Sequence, residues 1–246
     1  MRLVWEDDFD GPSLNSSRWN VLEQAHRGGV YTRANVGLEG GHLVLRTEAQ
    51  NLTVGGRSYY VTSGAVNTSG LAEQRTGRWE ARVKLPLVAA SAGYTLHSSL
   101  WLFSNVANPR HSGCAQEIDV LEQYAAGGDP SYALSHAVAN LHPFVGNRSS
   151  GCRKVSYPQP TASTATGDWT GRWSRFAVDW TDEWIAMSVD GTPYALYERS
   201  AAIPSFTDPL FLALTACVMQ RMPPTPTDRF PLEYLIDWVR VYEWVT

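Results

Sequence analysis

The densest chemistry in the 246-residue chain lies in Glu117-Ile118-Asp119-Val120-Leu121-Glu122, three carboxylates within six residues of an otherwise apolar, β-prone stretch. In a flat strand alternate side chains share a face, so Glu117 and Asp119 would point together and Glu122 away from them. One extra residue, a β-bulge, would turn Glu122 onto the same face. Two carboxyl groups held roughly 5–5.5 Å apart can break a glycosidic bond with retention, one as nucleophile and the other as acid and base. Asp119 would be their close negative neighbour. Like-charge coupling raises one carboxyl pKa, which keeps a proton ready for the leaving group. The competing reading is an edge strand with three solvated acids that could bind a cation. The surroundings favour the first. Residues 98–103 offer an adjacent strand carrying Trp101, an aromatic platform for a sugar face, and His136 and His142 follow on the next strand.

Short strands must position these groups, because the chain shows almost no helical periodicity. Residues 78–85 alternate, with Trp79, Ala81, Val83 and Leu85 on one side and Glu80, Arg82 and Lys84 on the other. Residues 184–189, Asp190-Gly191 and 192–196 read as a hairpin, since Asp-Gly suits a type I′ turn. Further strand candidates are 42–46, 61–68, 98–103, 117–124, 133–140, 175–180, 210–214 and 235–243. Strands punctuated by turn signals, without interleaved helices, predict an all-β sandwich or barrel. Two loop-rich stretches, 105–116 and 143–171, lie between strong strands that need partners across them, so one domain over 1–246 is expected.

Composition narrows the function classes. Hydrophobic residues make up 43% and charged residues 18%, enough for a sizeable core and too little charge for a disordered chain. No apolar run approaches the ~20 residues of a membrane span. The net charge of −4 and the lack of a long basic run argue against nucleic acid as a partner. Ten Trp and eleven Tyr point to stacking on a ligand. Three cysteines, Cys114, Cys152 and Cys217, leave two readings open: three buried thiols, or a Cys114–Cys152 staple with Cys217 buried and free. No signal-peptide core precedes Glu6-Asp7-Asp8, which suits a cytosolic protein or a chain that starts after a removed leader. Asn-x-Ser/Thr sequons at Asn15, Asn51, Asn67 and Asn147 suit the second, so secretion is expected, with the leader absent from this sequence.

Glu117 to Glu122 resembles the bulged catalytic signature of glycoside hydrolase family 16. The similarity extends along the chain in order. It takes in Trp5-Glu6-Asp7-Asp8-Phe9-Asp10-Gly11, Thr62-Ser63-Gly64, and Thr76-Gly77-Arg78-Trp79-Glu80-Ala81-Arg82-Val83-Lys84-Leu85-Pro86. It continues through Phe176-Ala177-Val178-Asp179-Trp180 and Ser188-Val189-Asp190-Gly191 to Ile236-Asp237-Trp238-Val239-Arg240-Val241-Tyr242. The resemblance implies a β-jelly roll of two curved antiparallel sheets with a substrate cleft on the concave face. It implies Glu117 as nucleophile, Glu122 as acid/base and Asp119 as auxiliary carboxylate. It also implies Trp101, Asn35, Arg78 and His136 as sugar contacts, against a core aromatic at Trp101, a surface ion pair at Arg78 and a structural histidine at His136. No cofactor is expected for catalysis. A structural calcium is implied at Asp8, the Gly41 backbone and Asp237, since hard oxygens suit that ion.

The implied activity is retaining, internal cleavage of a polysaccharide by a monomer. The substrate signals diverge. Residues 62–86 resemble laminarinases, but the Trp-Pro-x-Ser-Gly before the nucleophile and a later Gly-Gly-x-Trp are both missing. Residues 135–144 and 226–228 look more like agarases and porphyranases, and Arg110, Arg148 and Arg153 could pair with sulfate esters. A red-algal β-galactan of the agarose or porphyran type is therefore expected, with a β-1,3-glucan or mixed-linkage β-glucan as the alternative. A transglycosylase or a non-catalytic glycan-binding protein on the same fold is a further alternative.

Overall fold

A computed structural model describes residues 1–88, 93–125, 136–156, 164–167, 169–198, 206–225 and 228–245. Among them the only helical element is the 3₁₀ turn Arg33–Asn35. No helix is long and apolar enough to cross a membrane. Two antiparallel sheets stack on each other, as an all-β jelly roll requires. The larger runs, neighbour to neighbour, Thr192–Glu198, Trp184–Val189, Trp173–Trp180, Gly77–Lys84, Leu232–Glu243, His42–Val54, Arg57–Ser63, Gly29–Tyr31 and Gln24–His26, with one parallel contact between the strands at Val30 and Thr62. The smaller runs Thr164–Thr166, His136–His142, Glu117–Ala125, Leu96–Ser104, Leu210–Val218, Ala65–Asn67 and Asn20–Val21.

The predicted alternation in the larger sheet holds. Trp79, Ala81 and Val83 are buried, and Arg78, Glu80, Arg82 and Lys84 lie on the opposite face. Trp79 stacks on Trp180 at 5.7 Å between ring centroids, and both are almost wholly buried. Each such side chain removed from water contributes roughly 1.5–3 kcal/mol. The smaller sheet supplies the other half of the core through Leu100, Leu102, Ile118, Val120, Leu121, Leu212 and Leu214. The Asp190-Gly191 hairpin forms as expected. Both residues have positive φ, 50° and 82°, which a type I′ turn demands.

The loop 105–116 that delivers the chain to Glu117 is fixed from several sides. Cys114 and Cys152 form a disulfide with Cα atoms 5.5 Å apart, and Cys217 is buried and free, so the staple reading is the one realised. Ser104 Oγ donates to the Cys114 carbonyl at 2.6 Å. The Ser112 amide donates to Asp208 at 2.9 Å, and Gln116 Oε1 accepts from the Thr207 and Asp208 amides. The disulfide joins this loop to the hairpin of Phe144–Asn147 and Gly151–Lys154. Cross-links of this kind typically contribute about 2–4 kcal/mol. The double variant Cys114→Ser/Cys152→Ser should lose about that much stability in urea unfolding. An unchanged midpoint would show that the hydrogen bonds hold the loop without the bridge.

Candidate active site

The predicted bulge is present. Along the Leu96–Ser104 strand, Leu100 pairs with Leu121 and Trp101 with Asp119, which leaves Val120 unpaired. Val120 and Leu121 both enter the core, and both are fully buried. Two inward residues in succession reset the alternation. Glu117, Asp119 and Glu122 therefore share the cleft face. The flanking strands complete that face. Phe103 lies opposite Glu117 and Ser99 opposite Glu122 on one side, while His142 lies opposite Glu117 and Asn140 opposite Asp119 on the other.

The three acids line a cavity of about 270 Å³ together with His26, Arg27, His97, Ser99, Trp101, Phe103 and Thr215. Trp101 is half-buried there and meets Phe103 edge to face at 5.5 Å, a cleft position as expected. Hydrogen-bond donors are distributed unevenly among the acids. Glu122 Oε1 lies 3.1 Å from His97 Nε2 and accepts from the Tyr124 hydroxyl at 2.8 Å, and its Oε2 accepts from Asn140 Nδ2. Glu117 and Asp119 hydrogen-bond each other. His142 Nε2 stands 3.1 Å from Asp119 Oδ2.

These surroundings drive three chemically similar groups apart. Burial, then the charge of Asp119, raises the Glu117 carboxyl to about 8. Burial, then the charge of Glu122, raises Asp119 well above the usual carboxylate range. Burial also pushes Glu122 upward, but the hydrogen bond from His97, the charge that ring carries when protonated, and the hydrogen bonds from Tyr124 and Asn140 outweigh it and lower that carboxyl. These side chains by themselves favour charge on Glu122 and protonation within the Glu117–Asp119 pair. Ligand atoms of Glu117, Asp119 and His142 lie within 4.8 Å of one another, a spacing that could hold a cation.

Other expected site residues lie elsewhere. Asn35 is fully buried and does not line the cavity; its Oδ1 accepts from the Thr32 hydroxyl at 2.5 Å and so closes the 3₁₀ turn. Arg78 lies on the outer face of the larger sheet, where it pairs with Asp179 at 2.7 Å and Glu80 at 3.4 Å, so it is a surface ion pair and not a sugar contact. The backbone of His136 pairs with Thr166; its side chain lies outside the described residues, as do residues 226 and 227. The calcium set does not fit. Both oxygens of Asp237 face cationic or basic groups of the chain, Arg82 and His42 Nδ1, and Asp8 pairs with Arg240 at 3.2 Å. Asp8 lines a separate cavity with Asp7 and Asp10, without Gly41 or Asp237.

Three functional side chains escaped the sequence reading: His97, Tyr124 and Asn140. Their signal was alternation. Stepping back by two from Trp101 reaches Ser99 and His97, and stepping forward by two from Glu122 reaches Tyr124. Asn140 required the pairing register of the next strand.

A concave sheet with paired, environmentally split carboxyl groups beside a tryptophan defines a glycosidase cleft. The model for glycosyl hydrolases family 16 matches residues 29–240. The chain belongs to this family and is an endo-acting glycoside hydrolase. It is 28% identical to a beta-glucanase from Rhodothermus marinus, over 99% of this chain and 85% of that one. The catalytic domain of an endo-1,3-beta-glucanase (laminarinase) from Thermotoga petrophila superposes with a TM-score of 0.77 at 25% identity, covering 100% of this chain and 98% of that one. The laminarinase catalytic domain from Thermotoga maritima gives 0.76 at 24% identity, with 100% and 99% covered, and so shares the fold.

Two outcomes are expected. A carboxyl whose folded pKa lies above its unfolded value loses stability as pH rises from about 4.5 through about 8, because the native state must give up a proton that the unfolded state has already lost. Glu117→Gln removes that loss. Its Tm relative to the native protein should rise between pH 5 and pH 9, and a pH-independent difference would refute the raised Glu117 carboxyl. Trp101→Ala should fold normally and lower kcat/KM by about tenfold to a hundredfold, the worth of one stacked ring. An unfolded variant whose folded fraction keeps native kinetics would place Trp101 in the core instead.

Proposed function

We propose that the protein is a retaining endo-β-1,3-glucanase, with Glu117 as nucleophile, Glu122 as acid/base and Asp119 as the auxiliary group between them. The observation that carries the reading is the Val120 bulge, which brings both glutamates to one face of the cleft. In the first step Glu117 attacks the anomeric carbon while Glu122 gives a proton to the glycosidic oxygen. In the second, Glu122 takes a proton from water, and that water displaces Glu117. Two inversions give retention. The reaction starts from a charge distribution opposite to the one these side chains favour by themselves. With the shared proton on Asp119, Glu117 is a carboxylate supported by one donor. A sugar packed against Glu122 excludes water there and favours its protonated form.

A glucan is favoured over a galactan by the beta-glucanase and endo-1,3-beta-glucanase relatives. The sulfate-binding argument also weakens at Arg148, whose guanidinium is held by the backbone carbonyls of Val106 and Asn108. Secretion fits the Cys114–Cys152 disulfide, which persists in oxidising compartments, and the exposed sequon residues Asn15, Asn51 and Asn147.

The test is twofold. On a panel of laminarin, lichenan, xyloglucan, agarose, porphyran and carrageenan, laminarin should be cleaved fastest, to oligosaccharides with the β-anomer first by proton NMR. Faster cleavage of agarose or porphyran would move the substrate to a galactan. Azide should partly restore Glu117→Ala and yield the inverted α-glycosyl azide. A retained β-azide from that variant would exchange the two roles.

A further inference from the structure

Beside Glu122 runs a buried polar chain that the double displacement does not use. His97 is 5% exposed, and its ring presents Nε2 to Glu122 Oε1 at 3.1 Å and Nδ1 to Cys217 Sγ at 3.8 Å. Cys217, 1% exposed, hydrogen-bonds the Tyr31 hydroxyl, which also meets Thr215. Thr215 Oγ1 lies 2.6 Å from Ser99 Oγ. Tyr31, Thr215 and Ser99 are all buried. The chain thus runs along the cleft floor from Ser99 to Glu122 through six side chains on four strands of two sheets.

The protons in such a chain are ordered from its end. An ionised carboxylate only accepts, so the ring nitrogen facing Glu122 carries a hydrogen. In a neutral ring the other nitrogen is then an acceptor, and the group facing it is a thiol, which can donate. With the thiol hydrogen on His97 Nδ1, Cys217 sulfur accepts from Tyr31, Tyr31 from Thr215, and Thr215 from Ser99. Every contact is satisfied in that one direction.

We propose that Cys217 is a positioning residue for the reaction: its thiol, backed by Tyr31, Thr215 and Ser99, locks His97 as the neutral Nε2–H tautomer that donates to Glu122. The inference rests on Glu122 as acid/base. The lock stabilises the Glu122 carboxylate, the form that activates water in the second step, and opposes its protonation for the first. In the substrate complex, where Glu122 must hold the proton, it therefore sets the alkaline limb of kcat. The other titratable or charged groups around His97 are Tyr124, tilted against its ring at 4.5 Å, and His26 and Arg27 from the neighbouring hairpin.

The test compares Cys217→Ala, which removes the donor, with Cys217→Ser, which retains one. Losing the lock weakens the donor to Glu122, raises its pKa and keeps the acid form to higher pH. Cys217→Ala should move the alkaline limb of kcat upward by about half a pH unit, a fraction of what a whole charged hydrogen bond would give. Cys217→Ser should return the limb to its native position. A merely structural cysteine would lower Tm in both variants and move neither limb; that result, or equal movement in both, overturns the proposal. The ¹⁵N resonances of the His97 ring in the ligand-free native protein should report the Nε2–H tautomer, and an Nδ1–H or doubly protonated ring overturns it even where Cys217→Ala fails to fold. The ring measurement needs no turnover. A protein inactive on every glycan would sink the glucanase reading while the tautomer still decides the relay.

Discussion

A strand that sends Val120 and Leu121 into the core one after the other must break its two-residue alternation, and the acids on either side inherit the break. The apolar pair has no freedom to do otherwise. Exposing either residue would return roughly 1.5–3 kcal/mol of buried surface to water. Shifting the register by one would drive Glu117, Asp119 or Glu122 into the interior, where an unpaired charge is far more costly. Hydrophobic burial on the closed face thus dictates which carboxylates meet on the open one. The cleft is a consequence of the core.

Proximity alone would leave three acids competing for the same proton. The flanking strands resolve this through unequal hydrogen bonding. Glu122 receives His97, Tyr124 and Asn140, whereas Glu117 and Asp119 are left chiefly to each other. The low dielectric of the cleft floor strengthens each donor that is present and penalises each one that is missing. With the proposed roles of Glu117 and Glu122, catalysis inverts this arrangement, and substrate binding is coupled to proton relocation.

Much of this was legible in the chain, and the rest failed for identifiable reasons. The Asp190-Gly191 turn and the alternation around Trp79 are local, and both formed as read. For Arg78 the strand itself separates a sugar contact from an ion pair: with Trp79, Ala81 and Val83 inward, an odd step puts Arg78 outward, beside Asp179. Asn35 was misjudged because a 3₁₀ turn has no side-chain periodicity to show which way it faces. The acids assigned to calcium went astray because their actual partners, Arg82 and Arg240, approach from other parts of the sheet. The place of Asn140 depended on a cross-strand register that no local pattern discloses.

The Cys114–Cys152 bridge closes a covalent ring, and that ring contains the whole carboxylate strand Glu117–Ala125 together with the strand His136–His142. A protease that cuts any one peptide bond inside it produces no separate fragment. The nicked chain keeps both ends of the catalytic segment attached, and sheet pairing with Leu96–Ser104 can hold the acids in register across the gap. In a medium rich in other hydrolases, such a molecule would outlast its own cleavage: an intact band without reductant and two bands with it would mark an enzyme already cut.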